Sequence, residues 1–327
     1  MKDDFDLRLV NSLSAGESRS GETIAAELGC SRTAVWKHIE SLRELGVGVE
    51  AVAGLGYRLA EPIELLDRQR ITAGLSAGAQ RDLASFQIIS TVDSTNAELQ
   101  RMPAAEQHAC AVLAERQTSG RGRRGRHWYS PFARNIFLSL GWRFDTGVGE
   151  LGCLPLVVAL AAGEALRLAG VTGHTIKWPN DILLNGRKLG GCLVEVQGDV
   201  SGPCSAVMGV GINVNMPQST AGTNVIDQPW TDVGSQLPGV SRNELAALLL
   251  DSMLDSVKTY AESGFGPFRE RWESLDGLAG REILLSQGSG KVRGTARGIS
   301  ERGGLLVEVA EGVREFLAGE VSIVTAG

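Results

Sequence analysis

A short stretch rich in arginine and glycine holds the densest group of chemically useful side chains in this sequence. Residues 120–128 read Gly-Arg-Gly-Arg-Arg-Gly-Arg-His-Trp, with four arginines and three glycines in the first seven positions. This composition disfavours a helix and is too charged for a buried strand, so it predicts a mobile loop. Arginine binds phosphate or carboxylate through paired hydrogen bonds. The stretch therefore indicates an anion-binding loop, with a plain basic surface loop as the alternative.

The three glycines of this loop also fit the dinucleotide-binding pattern G-x-G-x-x-G. In that pattern the third glycine opens an apolar helix, whereas Arg-His-Trp-Tyr-Ser-Pro follows Gly125. The sequence also contains no G-x-x-x-x-G-K-[ST] phosphate loop, no H-E-x-x-H motif and no paired-cysteine spacing. We therefore expect neither a Rossmann-type nucleotide site nor a metal site formed by the protein.

Across several motifs of the chain, cationic side chains accompany neutral hydrogen-bonding side chains. The cationic group comprises Arg121, Arg123, Lys177 and Lys188, and the neutral group comprises Ser94, Thr95, Asn96, Gln117, Asn180 and Asn213. This set suits a reaction in which the substrate brings its own nucleophile while the protein neutralises phosphate charge and aligns the groups. Attack of a carboxylate on the α-phosphate of ATP is such a reaction.

Sequence patterns around these side chains predict the helices and strands of a mixed α/β domain. Apolar patterns predict a helix over residues 151–169 and strands over 86–92, 110–115, 135–140, 175–178 and 206–213. Asn185-Gly186 favours the type I′ turn of a tight hairpin between residues 182–184 and a strand from 188. Ser241 and Glu244 have the spacing of a capping box at the start of another helix. Residues 93–96 are good helix caps, which is the alternative to a ligand-binding role for any one of them.

The first 62 residues predict a winged helix-turn-helix domain. Helical spacing predicts helices over residues 5–15 and 21–28 and, after the cap Ser31, a third helix to about residue 45. Two short strands around Ala53-Gly54 follow as a wing. The second helix of a helix-turn-helix enters the major groove, so we expect DNA contacts from Arg32, Thr33, Lys37 and Arg43. A small three-helix structural domain is the alternative.

The charge of this domain argues for pairing. Residues 1–62 hold seven Lys/Arg against ten Asp/Glu, a formal charge of −3. A DNA-binding module usually presents a basic footprint, and here it is confined to the predicted recognition helix. We expect one such module to bind DNA weakly, so two modules on a two-fold site would have to supply the affinity.

We expect three domains, over residues 1–62, 63–276 and 277–327. A connecting helix and loop over 63–78 would join the first two. The last domain is predicted as a small SH3-like β-barrel, because five short segments alternate with glycine-rich turns. Its strands are expected over 282–286, 291–299, 305–309, 313–317 and 320–324.

The composition of all 327 residues is that of an ordinary globular protein, with 43% hydrophobic and 21% charged residues. The net charge of −6 argues against a protein that simply coats nucleic acid. Five scattered cysteines without C-x-x-C spacing are expected to be reduced thiols. The sequence shows neither an apolar span of about 18 residues nor a signal peptide. It predicts a cytoplasmic protein without a membrane partner.

Five motifs, in order along the chain, resemble those of the biotin protein ligases. They are residues 92–96 (Val-Asp-Ser-Thr-Asn), 120–125 (Gly-Arg-Gly-Arg-Arg-Gly), 177–181 (Lys-Trp-Pro-Asn-Asp), 187–190 (Arg-Lys-Leu-Gly) and 209–213 (Gly-Val-Gly-Ile-Asn). With the N-terminal domain, the chain resembles, from end to end, the bifunctional type that also represses the biotin operon. The resemblance implies that biotin and ATP, with Mg²⁺, give biotinyl-5′-adenylate and pyrophosphate. Biotin then moves to a lysine of the biotin carboxyl carrier protein of acetyl-CoA carboxylase. It further implies biotin operator DNA as a partner and a homodimer in the adenylate-bound form.

The resemblance also implies roles for individual residues. Those matching the family's biotin-binding positions are Ser94, Thr95, Asn96, Gln117, Arg121, Gly122, Arg123 and Lys188. Those expected near ATP or the adenylate are Arg123, Lys177, Asn213 and Trp230. Lys188 and Arg123 are expected to stabilise the reacting carboxylate and phosphate, and Asp181 to orient or deprotonate the incoming lysine amine. Neutral donors and acceptors suit the ureido ring of biotin, which is a neutral urea.

One segment departs from the family pattern. Residues 216–230 correspond to the loop that covers the adenylate, but their Gly/Thr/Asn-rich interior does not match it closely. Two alternative functions remain. The first is a lipoate ligase-like adenylating enzyme, which shares the central fold but not the arginine loop in this form. The second is a ligand-sensing repressor that binds biotinyl-adenylate without transferring it. Lys188 together with the arginine loop favours catalysis.

Overall fold

Three helices and a small sheet form the N-terminal part of the protein, in a computed structural model that describes residues 2–14, 16–217, 226, 228–288 and 290–324. The helices are α1 (Lys2–Leu13), α2 (Gly21–Leu28) and α3 (Arg32–Glu44), and the antiparallel strands are β1 (Val49–Val52) and β2 (Gly56–Leu59). The Ser31 hydroxyl accepts a hydrogen bond from Ala34 N at 3.2 Å and caps α3. Val35, Ile39 and Leu42 are fully buried on its inner face. This is the winged helix-turn-helix predicted from the sequence.

The link to the central part contains a helix within the predicted range of residues 63–78, but the helix begins later than expected. The chain is extended up to Asp67 and then forms two short helices, α4 (Arg68–Gly74) and α5 (Ala77–Asp82). Leu66 N donates to Glu115 Oε1 at 2.5 Å, and Leu65 O accepts from Asn243 Nδ2 at 2.9 Å. Backbone groups that would pair within a helix therefore form hydrogen bonds to distant side chains instead. The local spacing of apolar residues cannot predict such long-range hydrogen bonds.

Seven strands form the central sheet in the order β3-β4-β5-β9-β8-β7-β6. They are β3 (Ser85–Val92), β4 (Cys110–Gln117), β5 (Ile136–Phe144), β6 (His174–Lys177), β7 (Asp181–Leu184), β8 (Arg187–Gly198) and β9 (Cys204–Ile212). β3 and β4 are parallel, and every other neighbouring pair is antiparallel. Between β7 and β8, Asn185 and Gly186 have φ of 52° and 74°, as the predicted type I′ turn requires.

Four helices accompany the sheet: α6 (Thr95–Gln100), α7 (Leu154–Leu168), α8 (Arg242–Ser263) and α9 (Arg269–Leu275). The Ser241 hydroxyl accepts from Glu244 N at 3.2 Å, as expected for the start of α8. Arg242, the next residue, forms an ion pair of 2.8 Å with Glu115, and both side chains are almost fully buried. Because Glu115 also binds Leu66 N, this pair fixes the extended link to β4.

The C-terminal part is a five-stranded antiparallel sheet in the order β13-β12-β11-β10-β14. Its strands are β10 (Glu282–Gln287), β11 (Gly290–Ile299), β12 (Leu305–Val309), β13 (Gly312–Phe316) and β14 (Glu320–Ile323). All five predicted strands are present, with their ends shifted by at most one residue. Trp178 Nε1 donates to Gly303 O at 2.9 Å, which joins this sheet to the central one. None of the helices in the described part of the chain combines the length and apolar character that crossing a membrane requires.

Candidate active site

A cavity of about 740 Å³ gathers every small-molecule site residue predicted from the sequence. It is lined by the central sheet, the start of α6, the loop at 120–129 and β14. The predicted residues that line it are Ser94, Thr95, Asn96, Gln117, Arg121, Gly122, Arg123, Lys177, Asp181, Lys188, Asn213 and Trp230. Residues from five separate motifs therefore meet at one site, and its size is typical of small-molecule pockets.

One end of the cavity is neutral and hydrogen-bonded. Thr95 N donates to Gln117 Oε1 at 2.9 Å. Ser139 Oγ lies 2.7 Å from Thr95 Oγ1 and 2.6 Å from Asn96 Oδ1. Ser94, Thr95, Asn96 and Ser139 are all buried. Ser94, Thr95, Asn96 and Gln117 line the cavity, and Ser139 contacts Thr95 and Asn96 without lining it; we call these five residues the neutral end.

The helix-cap alternative is not supported for the Ser94 side chain. Ser94 occupies the N-cap position of α6, but its hydroxyl makes no capping hydrogen bond. Instead, Asp93 Oδ1 accepts from Ser94 N at 2.8 Å. Ser94 lines the cavity, and the helix does not use its hydroxyl.

Two glycines of β9 allow close packing at the cavity wall. A side chain at Gly209 would clash with Asn96 Oδ1, and a Cβ at Gly211 would lie 2.7 Å from the indole of Trp128. The alternate glycines noted in the sequence therefore admit neighbouring side chains to the wall of the cavity.

A second part of the cavity carries a lysine–aspartate–lysine cluster. Asp181 Oδ1 lies 2.6 Å from Lys188 Nζ, and Asp181 Oδ2 lies 3.3 Å from Lys177 Nζ. Burial alone would raise the pKa of Asp181, but the two lysines, Lys188 foremost, hold it below its ordinary value of 3.8. Asp181 is therefore a carboxylate at neutral pH and a weak proton acceptor. This geometry favours orienting an amine over deprotonating it.

Aromatic residues border the same cluster. Lys188 Nζ lies 5.4 Å from the ring centroid of Trp128, within the range of a cation–π contact. Lys188 N donates to Pro229 O, and Thr231 N donates to Lys188 O, both at 2.9 Å. The backbone of Lys188 is thus paired with the segment that carries Trp230.

The arginine loop also lines the cavity, and it contacts the partly exposed carboxylate of Glu320. Arg126 Nη2 lies 2.8 Å and Arg124 Nη1 3.5 Å from Glu320 on β14. Arg124 has φ 56° and ψ 31°, a left-handed conformation that costs a residue other than glycine roughly 1–2 kcal/mol. Burial and the neighbouring Arg124 lower the pKa of Arg123, although a guanidinium remains charged at neutral pH. We call Lys177, Asp181, Lys188 and the arginines of this loop the charged end.

Asn213, Ile226 and residues 228–230 complete the wall of the cavity. Asn213 Nδ2 donates to Thr231 O at 3.0 Å and to Lys188 O at 3.4 Å. Its amide therefore fixes the segment beside Trp230, and the nucleotide contact assigned to it remains a prediction. Of the loop expected to cover the adenylate, residues 218–225 and 227 lie outside the described residues.

The predicted DNA-binding residues lie apart from this cavity, on α3. Arg32, Thr33 and Lys37 are exposed there. Arg43 differs from them. Its Nε and Nη2 donate to Val49 O at 3.1 and 2.7 Å, and its Nη1 donates to Glu40 at 2.6 Å. This geometry favours a role in holding α3 against the wing over contact with DNA.

Four residues near the cavity were not singled out in the sequence. Ser139 is the one hydroxyl in the otherwise apolar run Ile-Phe-Leu-Ser-Leu, and that exception was a readable signal. Trp128 ends the arginine-rich stretch. Glu195 and Glu320 lie on strands whose alternating pattern gives no reason to prefer them to other surface carboxylates.

Comparisons with known proteins cover the whole chain. The model of the biotin/lipoate A/B protein ligase family matches residues 88–213, that of an HTH domain residues 7–58, and that of the biotin protein ligase C terminal domain residues 279–324. The chain is 37% identical over 327 residues to the bifunctional ligase/repressor BirA of Escherichia coli, covering 100% of this chain and 99% of that protein. It is 34% identical over 239 residues to the biotin–[acetyl-CoA-carboxylase] ligase of Paracoccus denitrificans, covering 72% and 98% respectively.

A solved structure agrees with these matches. The biotin protein ligase from Aquifex aeolicus in complex with biotin and ATP superposes with a TM-score of 0.61 at 29% identity, covering 75% of this chain and 100% of that one. Taken with the cavity and the N-terminal winged helix, these similarities show that the chain belongs to the biotin protein ligase family, as a member of its bifunctional ligase/repressor type.

Proposed function

We propose that the cavity joins biotin to ATP and then passes biotin to a carrier protein. The observation that carries this proposal is the meeting of a neutral, hydrogen-bonded end and a cationic end in one cavity. Biotin has the matching polarity, with a neutral ureido ring at one end and a carboxylate at the other. The ureido ring would lie beside Ser94, Thr95, Asn96 and Gln117, and the carboxylate would point toward Lys188.

In the first step a carboxylate oxygen of biotin attacks the α-phosphorus of ATP. The bond from that phosphorus to the bridging oxygen of pyrophosphate breaks, which leaves biotinyl-5′-adenylate. Lys188 and the arginines at 121 and 123 stabilise the negative charge that gathers between the reacting groups. Lys177 lies on the same side of the cavity and is assigned to the phosphates, and Trp230 is assigned to the adenine.

In the second step the amine of a carrier lysine attacks the acyl carbon of the adenylate. A C–N bond forms, the C–O bond to AMP breaks, and the amine loses a proton to solvent. Asp181 is assigned to the orientation of this amine, because its lowered pKa makes it a poor base. The acceptor is the biotin carboxyl carrier protein of acetyl-CoA carboxylase, in keeping with the ligase relative.

Magnesium would enter with ATP. The described residues contain no group of three or more His, Cys, Asp or Glu side chains that could hold a metal ion. Mg²⁺ commonly binds through substrate phosphates and retains several waters. We therefore assign no residue of this chain to it, and a cytoplasmic location likewise stays a prediction.

We propose domain limits at residues 62/63 and 276/277. The first limit lies between β2 and α4, within the extended link. The second lies between α9 and β10. The winged helix, the ligase domain and the C-terminal sheet would then each correspond to one predicted domain.

The test of catalysis is incubation of the protein with ATP, labelled biotin and a carrier domain. We expect pyrophosphate release and label on the carrier lysine with biotin, and neither with labelled lipoate. Lipoate transfer alone would point to a lipoate ligase. Tight binding of adenylate without transfer would point to a pure sensor.

For repression, we propose that adenylate binding drives a homodimer that places two α3 helices on the biotin operator. Exposed Arg32, Thr33 and Lys37 suit contacts to DNA, but the acidic domain requires a paired site. A ligand shifts such an equilibrium only by its differential affinity for the dimer. The carrier protein and the second protomer would compete for the surface that the adenylate orders.

Sedimentation and operator binding, measured with and without biotin plus ATP, test this proposal for repression. Equal operator affinity in both conditions would contradict it.

A further inference from the structure

Glu195 lies behind the cavity wall and contacts both ends of the site. It is half-buried on β8, and it does not line the cavity itself. Its Oε2 accepts a hydrogen bond from Asn96 Nδ2 at 2.8 Å. Its Oε1 lies 3.5 Å from Arg121 Nη2. One carboxylate therefore touches a residue of the neutral end and an arginine of the charged end.

The contact to Asn96 fixes the orientation of a buried amide. Asn96 is 3% exposed. Its Oδ1 lies 2.6 Å from Ser139 Oγ, and its Nδ2 also donates to Leu193 O at 3.3 Å. Both donors of this amide are thus directed away from Ser139, and Glu195 provides the shorter of their two contacts. Without Glu195, a buried N–H would lose its better acceptor, which is costly in a dry site.

The contact to Arg121 is of a different kind. The side chains of Arg121 and Glu195 are 44% and 28% exposed, and the ion pair is long. Such a pair contributes about 0–1 kcal/mol. A substrate carboxylate or phosphate offers the same chemistry as Glu195 with better access to the guanidinium. Arg121 can therefore leave Glu195 for the ligand at little cost.

We propose, resting on the function proposed above, that Glu195 is a positioning residue that fixes Asn96 for the ureido ring and holds Arg121 until the substrate anion takes it. The two carboxylate oxygens of Glu195 have separate roles. Oε2 keeps the neutral end ready for biotin, and Oε1 limits the motion of the first arginine of the loop in the free protein.

The two roles are separable by substitution. In Glu195→Gln an amide oxygen still accepts from Asn96, but the negative charge that holds Arg121 is gone. In Glu195→Ala both contacts are lost. Gln197→Ala is the matched control, because Gln197 is exposed and lies two residues further along the same strand.

The experiment measures biotin binding by calorimetry and hydrogen exchange of the backbone amides at 121–126 in the ligand-free protein. We expect Glu195→Ala to weaken biotin about tenfold, which is 1.4 kcal/mol, and Glu195→Gln to stay within about twofold of the parent. We expect the loop amides to exchange faster than in the parent in both variants. Gln197→Ala should change neither quantity.

The outcomes separate this proposal from the function on which it rests. If the parent protein does not bind biotin, the proposed function fails. If the parent binds biotin while Glu195→Ala binds it equally well, or Glu195→Gln binds it as poorly as Glu195→Ala, the assignment to Asn96 fails. Unchanged loop exchange in both variants would remove the assignment to Arg121. Thermal unfolding of each variant identifies any general loss of the fold.

Discussion

The two ends of the cavity are built from different kinds of polar contact. At the neutral end, Thr95, Asn96 and Ser139 are buried and satisfy one another through short hydrogen bonds. At the charged end, the guanidinium groups of Arg121 and Arg126 are about half exposed, and they contact protein carboxylates on other strands. The neutral end is preorganised by hydrogen bonds within the protein, whereas the loop of the charged end is held by ion pairs that a ligand anion can replace.

This difference follows from what each end has to bind. A neutral urea gains little from charge, and its recognition depends on donors and acceptors fixed in advance in a dry site. An adenylate carries negative charge that cations stabilise. The loop arginines can leave their protein carboxylates at a small cost in free energy, because exposed ion pairs contribute about 0–1 kcal/mol each. The fixed end should therefore govern the affinity for biotin, and the exchangeable end should govern chemistry and retention of the intermediate.

The largest expected effect comes from removing the cation at the centre of the charged end. Lys188→Ala should lower the rate of adenylation by about 10² or more, the scale of losing one electrostatic stabiliser. Pyrophosphate release measures this rate. Lys258→Ala is the control, because Lys258 also pairs with an aspartate, Asp82, but on the surface. Near-normal pyrophosphate release by Lys188→Ala would remove Lys188 from the reaction.

Loss of a loop arginine should affect retention of the adenylate. Arg123→Gly removes a charged donor, and hydrogen bonds to charged groups contribute about 1.5–3 kcal/mol. We expect the adenylate to leave about tenfold faster or more and to label nearby lysines indiscriminately. Release of labelled adenylate and mass spectrometry of bystander proteins check this. Arg167→Ala, a surface arginine paired with Glu164, is the control. If Arg123→Gly retains the adenylate as the parent does, the loop does not hold it.

A smaller effect should come from the neutral end, and it should be confined to biotin. Ser139→Ala leaves Asn96 Oδ1 without its hydroxyl partner, and an unsatisfied buried group costs about 1–3 kcal/mol. Biotin affinity should fall about tenfold, while ATP binding stays unchanged. Calorimetry with each ligand measures both quantities, and Ser274→Ala, at an exposed serine, serves as the control. An equal loss for ATP would mean that the two ends are not distinct.

The smallest expected effect is the response of Asp181 to pH. The pKa of Asp181 is lowered in the folded protein, so its contribution to the free energy of unfolding is present above 3.8 and is lost as the pH falls below that value. Between pH 5 and 8 we therefore expect no titration of Asp181 in the rate of pyrophosphate release. An acidic limb in that window that disappears in Asp181→Asn would show that the lysines do not hold the carboxylate charged.

The charged end was largely predictable from the sequence, whereas Glu195, which contacts a residue of each end, was not. Arg121 and Lys188 lie in compact motifs whose cationic composition signals anion chemistry, whereas the role expected of Asp181 came from the resemblance to the ligase family. Glu195 acts through its partners at positions 96 and 121, and pairing across strands brings them together. A single sequence contains no record of that register, so Glu195 resembles any other carboxylate on a strand.

The same division applies to the fold. The helices of the DNA-binding domain and the five C-terminal strands are specified locally, by caps, glycine turns and apolar spacing. The extended link before Asp67 is specified by partners far along the chain, among them Glu115 and Asn243. Arg43 likewise has local helical spacing that suits DNA, but its guanidinium is bound to Val49 O of the wing.

Hydrogen exchange at the two ends of the cavity, in the free and the adenylate-bound protein, tests the central contrast most directly. Ordering seven loop residues costs entropy that only ligand contacts offset. We predict that the amides of 95–96 exchange slowly in both states, whereas those of 120–126 exchange rapidly in the free protein and slow markedly once biotinyl-adenylate is bound. Loop amides as protected in the free protein as those of residues 95–96 would contradict the account.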